Sequence, residues 1–238
     1  MDERVTVTEV ETLYRGLQDL AERFETRIVG GDTVYTPTIT VGLTLLGTVP
    51  VGSALLRSRA EPGDLLLVTG TLGKAAAGLE ILRREVSVAD GIRKQVLEAH
   101  YRPWPRVQEG RILSSLGWVH ALIDISDGLA SEVGHLCTQS RVGVEIWWEA
   151  LPIAPSTRDV ARACASCPEE WALTGGEDYE LLMAVPADRV EATQEALQKI
   201  GCALTAVGRI RPRDEGGTLV HPEGRWPLNF KGYDHFRS

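Results

Sequence analysis

The segment Asp124-Ile125-Ser126-Asp127-Gly128-Leu129 places two carboxylates three residues apart, where an apolar run gives way to a helical pattern. A strand ending against a helix start is where α/β folds tend to hold ligands. The helix start offers backbone N–H groups and the positive end of a dipole, which suit phosphate. The two acids could hold a divalent cation beside it. Helix capping by Ser126 or Asp127 competes with this reading, but a cap accounts for one acid and not both. At Gly31-Asp32-Thr33 a glycine lets the backbone approach a ligand and Asp32 could ligate a hard cation. A plain turn fits the same residues. Gly175-Gly176-Glu177-Asp178-Tyr179-Glu180 sets three acids and two glycines before an apolar strand. It reads either as a solvated loop or as acid density serving a cationic ligand or a metal.

Other chemistries fail on spacing. A phosphate loop around Gly70-Thr71-Leu72-Gly73-Lys74 would need Gly at 68 and Ser or Thr at 75, where Val68 and Ala75 stand. That stretch reads as a tight turn into a helix. No G-x-S-x-G elbow occurs, and no two histidines share a His-x-x-x-His spacing. Cys164 and Cys167 form a C-x-x-C pair without the second half of a zinc site.

The elements that must position these residues follow from periodicity. Thr8 to Phe24 carries Val10, Leu13, Tyr14, Leu17, Leu20, Ala21 and Phe24 on one helical face, with Thr8 and Glu11 in capping-box form. Thr38 to Val49 alternates as a half-buried strand. The stretch Gly52 to Asp64 reads as the passage between two domains. Beyond it, strands are expected at 65–68, 122–125, 142–148, 179–185 and 204–210. Helices are expected at 73–85, 105–116, 156–165 and 188–200, with another opened by Ser126-Asp127. This interleaving predicts an α+β protein.

The formal net charge of −8 argues against broad binding to nucleic acid or anionic membranes, which want a basic face. It is compatible with phosphates held through divalent cations. The amino-terminal residues do not resemble a signal peptide, and no apolar run approaches the ~20 residues of a membrane helix. A reduced, cytoplasmic protein is expected.

Taken together and in order, the motifs resemble the thiamine-monophosphate kinase family. They are Leu13 to Leu17, Val29 to Thr33, Leu55 to Ser58, Pro62-Gly63-Asp64, Val68 to Gly73, Asp124 to Leu129, Gly175 to Leu181 and the tail Gly232 to Phe236. The match runs over essentially the whole chain. The resemblance implies the two-domain α+β fold of aminoimidazole ribonucleotide synthetase. Residues 1–60 would be the remainder of an ATP- and Mg²⁺-binding domain, and residues 61–238 a C-terminal domain. It implies Mg²⁺-assisted transfer of the terminal phosphate of ATP to thiamine monophosphate, in a homodimer. Asp32, Asp124 and Asp127 would bind Mg²⁺. Tyr14, Gly31, Asp32, Arg57 and Ser126 would lie against ATP. Glu177 and Tyr233 would contact thiamine monophosphate, whose thiazolium cation suits a ring face and a carboxylate. No general base is assigned, because the acceptor is already a phosphate oxygen. The family pattern opens with an acidic Gly-Asp-Asp-type segment that has no counterpart here, so the first domain is expected to be incomplete. A binding module without turnover, or another ATP-dependent synthetase of the same superfamily, are the alternative expectations.

Overall fold

The computed structural model describes residues 5–232. The chain divides into two compact units, Met1–Val49 and Pro50–Ser238.

In the first unit, helix α1 spans Val7–Arg23. Thr6 Oγ1 accepts from the Glu9 amide at 3.3 Å, and Glu9 Oε2 accepts from the Thr6 amide at 2.8 Å. This is a capping box, set two residues earlier than Thr8 and Glu11. Both frames carry the Thr-x-x-Glu pattern, and the chain uses the first. Residues 24–49 form neither helix nor strand. The strand expected over Thr38 to Val49 is therefore absent. Alternation supplies an apolar face, but a strand also needs a neighbour for its backbone hydrogen bonds, and none pairs with this segment among the described residues. Ile39, Leu43 and Leu45 remain 64%, 70% and 83% exposed.

The second unit is built on a seven-stranded sheet in the order β2-β4-β1-β5-β3-β6-β7. The strands are β1 (Leu65–Thr69), β2 (Ala121–Ile125), β3 (Gly143–Trp147), β4 (Glu180–Val185), β5 (Leu204–Arg211), β6 (Gly217–His221) and β7 (Gly224–Pro227). All neighbours are antiparallel except β3 and β6. The helices are α2 (Lys74–Arg83), α3 (Asp90–Tyr101), α4 (Val107–Leu116), α5 (Leu129–Ser140), α6 (Pro155–Ala163), α7 (Pro168–Thr174) and α8 (Val190–Gln198). Helices α3 and α7 and strands β6 and β7 add to the elements expected from periodicity.

Strands β1 and β4 are continuous apolar runs because helices cover both faces of the sheet. Leu66, Val68, Leu182 and Ala184 pack with Leu129, Val133 and Leu136 of α5 on one face. Leu67, Met183 and Val185 pack with Leu113 of α4 and Leu197 of α8 on the other. Residues ahead of β1 are tied to this unit. Ser140 Oγ donates to the Arg57 carbonyl at 3.0 Å and accepts from the Ala60 amide at 3.1 Å, while Ala60 is buried.

The antiparallel register has one consequence for function. Ile125 pairs with Glu180, and Val68 pairs with Leu182. The C-terminal ends of β1 and β2 therefore lie beside the N-terminal end of β4. Gly70 to Lys74, Asp124 to Gly128 and Gly175 to Glu180 meet at one end of the sheet.

Candidate active site

At that end the Gly175–Glu180 loop is zipped to the end of β2. The Glu177 amide donates to the Ser126 carbonyl at 2.7 Å, and the Tyr179 amide donates to the Ile125 carbonyl at 2.8 Å. To make both bonds, Glu177 and Tyr179 adopt φ of 68° and 50°. Non-glycine residues in this left-handed region cost of order 1–3 kcal/mol each and concentrate at functional sites. Glycine at 176 is required by contact, since a Cβ there would sit 2.6 Å from the Ser126 carbonyl oxygen.

The three acids of this loop divide their work. Glu177 is exposed and lies 3.4 Å from His100 Nδ1. Asp178 turns back and accepts from the Gly73 amide at 2.7 Å and the Ala75 amide at 3.4 Å. Gly70 and Gly73 have φ of 57° and 75°, so the Gly70–Lys74 stretch is the tight turn its sequence suggests, held by Asp178. Glu180 is buried, and its carboxylate takes both Nε and Nη2 of Arg106 at 2.7 Å and the Thr69 hydroxyl at 2.6 Å. Arg106 Nη1 also donates to buried Glu109 at 2.8 Å. Burial works against the guanidinium charge, but the bonds to Glu180 outweigh it and hold Arg106 firmly protonated. The loop is not the solvated one its acid content allowed: two of its three acids are structural.

Burial pushes the Asp178 carboxyl up to about 7, against the bonds from Gly73 and Ala75, which favour its charged form. A folded-state value above the unfolded one means the folded chain holds more protons between the two values. Stability from this group therefore falls as pH rises from about 4 to about 7 and is flat above. Asp178→Asn should remove that slope. Urea midpoints at about pH 5 and about pH 8 should differ less in the variant than in the parent.

The Asp124–Asp127 segment is organised from beneath. Helix α5 begins at Leu129, with Gly128 as its N-cap at φ 108° and no side-chain cap bond. Asp127 therefore precedes the helix, and neither Ser126 nor Asp127 caps it, which removes the competing explanation for both acids. Instead Glu132, 2% exposed, reaches back from α5. Its Oε1 accepts from the Ser126 amide and hydroxyl at 3.2 Å each and from the Asp127 amide at 2.9 Å. The amides of the turn ahead of the helix are thus occupied. The Asp124 and Asp127 carboxylates make no hydrogen bond or ion pair with another described residue, and Asp124 is exposed at the end of β2. Burial raises the Tyr179 phenol, and so do the charges of Glu177, Asp124 and Asp127. All three carboxylates therefore act electrostatically on one ring. The chain's tail joins them: a Cβ on Gly232 would collide with the Asp127 carbonyl and sit 2.7 Å from Ser131 Cβ.

Tyr14, Gly31 and Asp32 belong to the first unit, where a Cβ on Gly31 would lie 3.5 Å from Tyr14 Oη and Asp32 Oδ1 accepts from the Thr33 amide at 2.8 Å. Arg57 is at the opposite end of α5 from Asp127, about 18 Å along a helix of this length. There the Gln139 amide oxygen, in the orientation its donors require, accepts from Arg57 Nε and Nη2 at 3.1 Å each. Tyr233 lies outside the described residues. Glu132, Arg106 and His100 were not anticipated. Glu132 had only its place one turn into the helix as a signal, and Arg106 and His100 had none.

Among the described residues, no group of three or more His, Cys, Asp or Glu side chains is arranged to hold a metal ion. Two free carboxylates nonetheless suit Mg²⁺, which is usually bound by one or two carboxylates, with phosphate oxygens and water completing the shell. No helix among the described residues is long and apolar enough to cross a membrane.

Comparison with known proteins bears on the family and the fold. The family model for the AIR synthase related protein, C-terminal domain, matches residues 61–221, and that for the N-terminal domain matches residues 2–49. The chain is 39% identical over 234 residues to the thiamine-monophosphate kinase of Escherichia coli K12, covering 96% of this chain and 69% of that protein. The crystal structure of thiamine-monophosphate kinase from Stenotrophomonas maltophilia K279a superposes with a TM-score of 0.79 at 29% identity, over 92% of this chain and 69% of that one. AaThiL complexed with AMPPCP and TMP superposes with a TM-score of 0.78 at 28% identity, over 99% and 71%. On this combination of sequence identity, coverage and shared fold, the chain belongs to the thiamine-monophosphate kinase family.

Proposed function

We propose that this protein transfers the terminal phosphoryl group of ATP to the phosphate of thiamine monophosphate, giving thiamine diphosphate and ADP. A phosphate oxygen of thiamine monophosphate forms the new bond to the transferring phosphorus, and the bond from that phosphorus to the bridging oxygen of ADP breaks. The observation that carries the reading is the end of the sheet where Asp124, Asp127 and Glu177 converge with the chain's tail. The Ser126 and Asp127 amides are consumed by Glu132, and the exposed groups there are carboxylates. Such a surface repels bare phosphate and receives it with a cation between. The relative AaThiL, solved with AMPPCP and TMP, supports the same pair of ligands.

In this reading Asp32, Asp124 and Asp127 would bind Mg²⁺. When bound, Mg²⁺ neutralises charge on the transferring phosphoryl group. The chain's own work is positioning. Tyr14, Gly31, Arg57 and Ser126 contact ATP, and Glu177 and Tyr233 contact thiamine monophosphate. His100 Nδ1, on α3, lies 3.4 Å from Glu177. The exposed carboxylate of Glu177 suits the thiazolium charge, and Gly232 lies against Asp127. A cytoplasmic homodimer is the form proposed.

The test is thiamine diphosphate formation by the purified chain with ATP, thiamine monophosphate and Mg²⁺. Product above a control without enzyme is expected. Binding of both ligands with no product would make this a binding module instead. Tyr233→Ala should weaken thiamine monophosphate binding more than ATP binding, as read by titration calorimetry with each ligand. Equal losses would remove Tyr233 from the substrate site.

A further inference from the structure

We propose that Glu132 is a positioning residue for phosphoryl transfer, taking up the amides of the turn that leads into α5 and so leaving a cation site at Asp127. This rests on the kinase reading above and on Asp127 as a metal ligand. A free helix N-terminus attracts anions through its unpaired N–H groups and dipole. Just ahead of that terminus, the carboxylate of Glu132, 2% exposed, takes up the amides of the turn. One oxygen takes three donors: the Ser126 amide, the Ser126 hydroxyl and the Asp127 amide. The bonds are charge-assisted, so they are stronger than those of a neutral acceptor. They fix the backbone of both residues, and with it the direction in which the Asp127 side chain leaves the turn.

The charge of Glu132 has a second effect. Among the described residues no Lys or Arg ion-pairs with it. Its one contact of that kind is His135 Nε2, at 3.9 Å from the other carboxylate oxygen. The negative charge is therefore left largely uncompensated by the protein, directly beneath Asp127. It offsets the positive end of the helix and adds to the field of Asp124 and Asp127. The segment favours a divalent cation and disfavours a phosphate that arrives without one. A merely structural glutamate would stabilise α5 and leave ligand preference unchanged.

The experiment uses the full chain with Glu132→Gln, Glu132→Ala and, for comparison, Asp127→Asn. Mn²⁺ binding is followed by electron paramagnetic resonance at saturating ATP. Amide exchange at Ser126 and Asp127 is followed by NMR. Binding of ATP without any metal is measured by calorimetry. Glu132→Gln keeps the shape and an acceptor oxygen but removes the charge, so it guards against a folding failure of the alanine variant. The expected result is Mn²⁺ affinity lowered by roughly 10-fold or more in both Glu132 variants, as for other groups that orient a metal ligand. Amide exchange should be faster at Ser126 and Asp127 in Glu132→Ala, and metal-free ATP should bind no more weakly than to the parent. Parent Mn²⁺ affinity in Glu132→Gln, with affinity lost in Asp127→Asn, would overturn the role of Glu132. Parent affinity in Asp127→Asn would instead overturn Asp127 as a ligand, and the proposal with it.

Discussion

Asp127→Asn is expected to lower Mg²⁺-dependent thiamine diphosphate formation by about 10²–10³-fold, the loss typical of removing one preorganised group that stabilises transition-state charge. The side chain is well suited to such a test. It makes no hydrogen bond or ion pair with another described residue, so neutralising it breaks nothing that holds the fold. The backbone of the same residue is fixed by Glu132 at 2.9 Å and is unchanged by the substitution. Circular dichroism and the thermal midpoint should therefore match the parent. Raising Mg²⁺ should recover part of the lost rate, because the asparagine oxygen remains a weak ligand. Parent-like activity at limiting Mg²⁺ would show that the metal is held without Asp127.

Arg106→Met should have the largest effect on stability. The guanidinium joins Glu180 and Glu109, whose side chains are 10% and 7% exposed, while its own is 21% exposed. Removing it leaves two carboxylates close together with little water. Breaking a buried pair from one side in this way costs about 3–5 kcal/mol. The damage should also reach the site, since Glu180 fixes the base of the loop that presents Glu177, and Thr69 bridges the two by donating to Glu180 and accepting from the Leu181 amide at 2.8 Å. Adding Glu180→Gln to Arg106→Met should restore much of the loss by removing one of the stranded charges. Urea denaturation of the single and double variants measures both effects. A single variant as stable as the parent would mean that water reaches these acids and that the network contributes little.

The main elements were legible because their apolar spacing is strong. The strand at Leu65 to Thr69, the helix at Val107 to Leu116 and the turn at Gly70 to Lys74 follow from local pattern alone. Helix α3 was missed because its residues are largely polar and only Val96 is buried within it. Strands β6 and β7 are short and bounded by glycine and proline; β6 exists because β3 offers it an edge, and β7 because β6 does. The segment Thr38 to Val49 shows the reverse. Its alternation is strong, yet a strand is a property of a pair, and no neighbour is supplied among the described residues.

For the site, the sequence by itself determined which residues are chemically able to take part. The acids at 124, 127 and 177 and the glycines that let loops approach one another are visible as residue types at fixed spacing. It could not determine which acids face a ligand and which hold the scaffold. Glu177, Asp178 and Glu180 are near neighbours in one motif, and only the strand register turns the first outward and commits the other two to Gly73 and Arg106. The same applies to the start of α5, which local pattern offers as a phosphate site. The tertiary structure instead brings Glu132 to the amides of Ser126 and Asp127 and leaves the carboxylates of Asp124 and Asp127 without a partner among the described residues. Spacing along a chain fixes residue chemistry, but the pairing of strands and the reach of a buried side chain decide which groups remain unpaired, and unpaired groups are the ones a ligand meets.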